Sequence, residues 1–116
     1  PYNSQAVREK TGWIAAVSSD LAPGHPEKIF MVREDFATNR AEEHLALVAA
    51  LQEAAVLCDD PAFRPELVKL LARPEHLNIP QKMLSPALLG PLDLGRGEAP
   101  VSAENYIRFS TREANA

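Results

Sequence analysis

A single cysteine, Cys58, occurs among 116 residues, which excludes an internal disulfide. It falls on the apolar stripe of a helical pattern with no cation beside it in sequence, so it reads as a small buried hydrophobe and not as a reactive thiol. An excess of basic residues is missing as well. Lysine and arginine total 12 against 16 acids, a formal net charge of −4, which argues against nucleic acid and acidic membrane surfaces as partners. No apolar run approaches the roughly 20 residues that cross a bilayer, so no membrane insertion is expected. No secretory leader stands at the front, where Pro1 opens directly into polar residues without a preceding methionine; the sequence reads as if cut from something longer. The three histidines, His25, His44 and His76, have no paired spacing of the metal-ligating kind. Serines 18, 19, 85 and 110 lack the sharp glycine-flanked turn of a hydrolase nucleophile, and there is no phosphate loop or dinucleotide fingerprint. No catalytic residue, metal or cofactor is expected.

What is present is ordinary for a soluble globular protein: 46% hydrophobic and 24% charged residues, enough for one modest core. Ten prolines and five glycines spread along the chain divide it into short elements. Gln5 to Lys10 reads as a short helix stopping at Gly12. Residues 13–17, Trp-Ile-Ala-Ala-Val, read as a buried strand, and 28–32 as a second one. From Ala41 to Cys58 the apolar residues Leu45, Val48, Leu51, Ala55 and Cys58 recur at three- and four-residue steps, predicting an amphipathic helix whose stripe forms the core. Asp60 is placed to cap the next helix, with Pro61 at its first position, running over 61–72 with Leu67, Leu70 and Leu71 inward. Short helical turns are expected over 79–89, where Pro86 forbids a long helix. A loop-like tail follows, with a short strand or helix at Asn105–Phe109 and a frayed end over 111–116. The predicted class is α/β, two short strands followed by two or three helices. Two strands alone make a marginal sheet, so either the helices cover it or further strands come from chain outside this sequence, as the abrupt start at Pro1 suggests.

Chemically useful groups concentrate in Gly24-His25-Pro26-Glu27-Lys28. Pro26 stiffens the approach, Glu27 offers a counter-charge, and Lys28 stands at the mouth of the second predicted strand. A lysine at a strand start is ordinarily solvated. At the edge of an α/β sheet it also occupies the place where such folds hold ligands, and a single ammonium suits a small oxyanion. Lys28, with His25 and Glu27 as neighbours, is therefore the candidate ligand site. A protein-interaction surface on the long helix is the competing reading.

Several blocks, in order, resemble the nitrate- and bicarbonate-type solute-binding proteins of ABC transporters. Pro1-Tyr2-Asn3 is similar to the end of that family's Glu-Pro-Trp-Asn segment, and His25-Pro26-Glu27-Lys28 to its His-Pro-Glu-Lys block. Cys58-Asp59-Asp60-Pro61 and Leu70-Leu71-Ala72-Arg73-Pro74-Glu75 match its helix break and the stretch after it, with His76 where the family has tyrosine. Leu92-Asp93-Leu94-Gly95-Arg96-Gly97 resembles its Phe-Asp-Tyr-Gly-Asp-Gly loop. The resemblance implies a fragment of a two-lobed, periplasmic-binding-protein-like fold, from its later portion. It implies binding of nitrate, nitrite or bicarbonate, with Lys28 contributing to the oxyanion site and the remaining contacts upstream of Pro1. The implied partner is an ABC permease, with a periplasmic or membrane-associated location. For a related nitrate-sensing regulator the partner is an RNA-binding antiterminator, with a cytoplasmic location.

Overall fold

Proline and glycine cut the chain into short helices joined by extended or turning segments. A computed structural model describes residues 1–110; the frayed end expected over 111–116 lies outside the described residues. The helices are α1 (Tyr2–Arg8), α2 (Ser18–Leu21), α3 (Glu34–Asn39), α4 (Ala41–Asp59), α5 (Arg64–Ala72) and α6 (Gln81–Leu88). Only α4 is long, because no proline or glycine interrupts its 19 residues, and Glu42 and Glu43 in its first turn complement the helix dipole.

The helix ends have identifiable causes. Lys10 N–H donates to Val7 O at 3.1 Å and Thr11 N–H to Ala6 O at 3.0 Å, the paired bonds of a Schellman motif. Lys10 takes the left-handed conformation there, φ 57°, so the stop falls at Lys10 and not at Gly12. Asp60 does not cap α5. Its carboxylate accepts from Ala62 N–H at 2.9 Å and closes a turn over 61–63, and the helix starts at Arg64 with Pro65 in its first turn. α6 tolerates Pro86 because the proline comes in its last turn, only two residues before the helix ends.

The core lies on α5 and α6. Leu67 and Val68 meet Leu84 and Leu88, and Phe63, Leu71, Ile79, Ile107 and Cys58 pack around them. Each such side chain contributes about 1.5–3 kcal/mol on burial. A second, smaller cluster joins Ile14, Leu92 and Ala103, flanked by Val7, Val17, Leu94 and Tyr106. It is tied by an antiparallel bridge, Leu92 N–H to Val101 O at 2.8 Å and Val101 N–H to Leu92 O at 2.9 Å. α1 rests on α6, and α4 touches α3 and α5.

Three sequence expectations need correction. The strands at 13–17 and 28–32 do not form, and no two-lobed arrangement is seen among the described residues; the fragment is mostly helical. Both segments are irregular, since a strand exists only by its partner. Residues 13–17 gain isolated contacts, Ile14 N–H to Leu94 O at 2.8 Å and Arg96 Nη1 to Ala15 O at 3.2 Å, and no ladder. The stripe of α4 is not core either: no residue of α4 is buried, and Leu45 is 67% exposed. Leu47, Leu51, Val56 and Leu57 are exposed too, so apolar groups surround the helix instead of forming one face. Asn105–Phe109 is neither strand nor helix; a turn over 104–106 leads into irregular chain.

Candidate functional site

The segment that carries Lys28 starts from a tight turn. Gly24 adopts φ 72°, which glycine reaches without cost, and His25 N–H donates to Ala22 O at 3.2 Å. His25 Nδ1 lies 2.7 Å from the same carbonyl, which can only accept, so that nitrogen carries the proton. From Pro26 to Arg33 the chain belongs to no helix or strand. Its anchor is aromatic: the Phe30 ring stacks on His44 of α4 with centroids 6.1 Å apart, and Phe36 of α3 meets the same imidazole edge-on at 6.0 Å. His44 is therefore half-buried in an aromatic cluster and not simply solvated. Sequence reasoning had no signal for this, because the contact joins residues fourteen apart across an irregular segment.

Charge pairs frame the cluster. Arg33 grips Asp35 through two bonds, 3.0 and 2.7 Å, and Asp35 also accepts from Phe36 N–H at 2.9 Å. Arg40 lies over the Phe36 ring, 5.2 Å from its centroid, and pairs with Glu43. Its hydrogen bond to Glu43, helped by their Coulomb attraction, pushes the Arg40 guanidinium further up. The same bond holds the Glu43 carboxyl below its usual range, against a small opposing effect of desolvation. Both groups are exposed, so this pair adds little to stability.

Lys28 projects from this frame. Its Nζ donates to Glu27 Oε1 at 3.1 Å, with the two side chains 86% and 77% exposed. All ten residues 21–30 are exposed. His25, Glu27 and Lys28 thus share one stretch, but His25 is turned back on Ala22 and no cavity encloses the ammonium. Just after the lysine, Ile29 and Met31 are 78% and 80% exposed, an apolar run with no cover among the described residues.

A groove of about 560 Å³ lies elsewhere, between the end of α1 and residues 93–98. Its two acids are spent on the chain itself. Asp93 accepts from Gly95 N–H at 2.8 Å, and Glu98 pairs with Arg96 at 3.4 Å. Gly95 adopts φ 74°, and a Cβ there would stand 3.1 Å from Val7 Cγ2 and 3.3 Å from Trp13 Cβ. This is a packing contact. Among the described residues no three of His, Cys, Asp and Glu lie close enough to hold a metal ion, and no helix is long and apolar enough to cross a membrane.

One charged pair escaped the sequence reading. Asp59 lies 3.3 Å from the buried guanidinium of Arg64. Arg64 also donates to Ile107 O at 2.7 Å. Its one sequence signal was an arginine on the otherwise apolar face that carries Leu67 and Leu71, three and seven residues on.

Comparison with known proteins places the chain. It is 33% identical over 115 residues to the nitrate/nitrite binding protein NrtA of Synechococcus elongatus, covering 99% of this chain and 26% of that protein. With the nitrate import ATP-binding protein NrtC of Synechocystis sp. it shares 34% over 115 residues, 99% of this chain and 17% of that one. The bicarbonate-binding protein CmpA of Synechococcus elongatus is 33% identical over 95 residues, 82% of this chain and 21% of the relative. The chain therefore spans between 17% and 26% of the length of these relatives. The segment is common to a protein named for binding nitrate and nitrite and to one named for binding ATP. Residues 1–72 match the NMT1-like family, and the chain belongs to that family.

Proposed function

We infer that this chain is part of a solute-binding unit that takes up a small oxyanion, nitrate, nitrite or bicarbonate, for an ABC-type import system. Its role is binding and not catalysis. The observation that carries this reading is the match, over 99% and 82% of the chain, to two proteins named for binding nitrate/nitrite and bicarbonate. The relatives are several times longer, so the site is shared with chain outside these residues, and a permease partner and periplasmic or membrane-associated location belong to the same proposal.

Lys28 is the residue proposed to meet the anion. Its ammonium is free of any enclosing group, and Glu27 neutralises it at 3.1 Å in the absence of ligand. An incoming oxyanion would exchange that exposed ion pair, worth little in water, for a charge-assisted bond in a closed cleft. Such a bond contributes about 1.5–3 kcal/mol, so Lys28→Ala in the intact protein is expected to weaken nitrate binding by about tenfold to a hundredfold. Calorimetry with nitrate, nitrite and bicarbonate, alongside circular dichroism of the variant, is the test. Unchanged affinity for every anion that the unmodified protein binds would remove Lys28 from the site. Absence of binding to all three by the unmodified protein would remove the function.

A further inference from the structure

The Asp59–Arg64 pair plays no part in that anion reading, and its contacts converge on one stretch of chain. Arg64, at the start of α5, donates to Leu88 O at 3.4 Å and to Ile107 O at 2.7 Å, and its guanidinium lies 5.4 Å from the Phe109 ring centroid. Asp59, at the end of α4, accepts from Phe109 N–H at 2.9 Å and from Ser110 N–H at 2.8 Å. Residues 107–110 belong to no helix or strand. Backbone groups that a helix or a sheet would satisfy are here satisfied by two side chains some 50 positions earlier.

We propose that Asp59 and Arg64 form a latch for residues 107–110, a strap that opens as one unit while α5 and α6 stay packed. Two features make the strap separable. Its polar contacts to the pair depend on the same two charges, so disturbing either loosens several bonds together. Its apolar share in the core is small: Ile107 packs on the cluster, whereas Leu67, Val68, Leu84 and Leu88 hold the helices to each other without it. The pair's partial burial keeps the strap closed, since opening takes two amide donors from the Asp59 carboxylate and the Ile107 carbonyl from the Arg64 guanidinium.

Native-state hydrogen exchange on the intact protein tests this. The Phe109 and Ser110 amides are expected to exchange at least tenfold faster than those of Leu67 and Val68, with little dependence on added denaturant. Asp59→Asn should accelerate the strap amides a further tenfold and leave Leu67 and Val68 unchanged. Should that variant not fold, Phe109→Leu takes its place, because it keeps both charges and removes only the ring beneath Arg64; a threefold acceleration confined to the strap is then expected. Strap and α5 amides opening together with the same denaturant dependence, or a strap indifferent to the substitution, would overturn the latch.

Discussion

Single residues show most directly where local chemistry decided the outcome. Lys10 occupies the left-handed position of the α1 Schellman motif, φ 57°, where glycine has no steric penalty. Lys10→Gly is expected to stabilise the chain by about 0.5–1 kcal/mol, read as a rise in urea midpoint. Burial pushes the Cys58 thiol up, Arg64 pulls it the other way, and Asp59 adds to the rise. A thiol whose folded pKa is raised contributes fully below its unfolded value of about 8.5, and that contribution is lost as the pH climbs through the folded value. The urea midpoint should therefore fall less between pH 8 and pH 10 in Cys58→Ala than in the unmodified protein. Lys28 was legible in the sequence because a lysine after His25-Pro26-Glu27 is a local pattern. Arg64 was not, because its partners Leu88, Ile107 and Asp59 come together only when three helices and the tail meet.

Secondary-structure elements divide by whether their signal is local or relational. The helix over 41–58 could be read from a run without breakers, since a helix satisfies its own backbone. Strands could not, because the run Ile29-Phe30-Met31 announces extended chain but not a neighbour to pair with. For the same reason the stripe on α4 was taken as core: a sequence shows apolar residues, and only packing shows what covers them. The two kinds of helix should respond differently to truncation. Leu84→Ala in α6, where the side chain is 4% exposed, is expected to cost about 2–5 kcal/mol. Leu45→Ala in α4, with its side chain in solvent, should cost less than about 0.5 kcal/mol in the 116-residue chain. Denaturant unfolding of both variants checks the contrast.

At the scale of the whole molecule the radius of gyration is 16.7 Å, with extents of 54 × 34 × 27 Å. A compact domain of about this length has a radius near ~13 Å. The excess goes with α4, none of whose residues is buried, and with the wholly exposed stretch 21–30. The relatives' greater length supplies a reason: surfaces that are open here are of the kind a longer chain covers. The isolated 116 residues are accordingly expected to bind nitrate at least a hundredfold more weakly than the intact protein. A hydrated anion that loses most of its donors is left under-compensated, and calorimetry on both gives the comparison. Comparable affinities would mean that the site is complete within this chain.

The contact between Arg96 and Ala15 spans 81 positions, and it sets an order of events during synthesis. Ile14 has no burial partner until Leu92 and Ala103 leave the ribosome, whereas α5 and α6 follow one another closely and can pack as soon as they emerge. Ala103 follows Ile14 by 89 positions, so at 5–20 residues per second the wait is roughly 4–18 s. The helical pair is complete only at Leu88, so for the end of that wait the beginning of the chain is an open apolar tether beside a helical pair free to pack, and the later loop around Gly95 then closes over it.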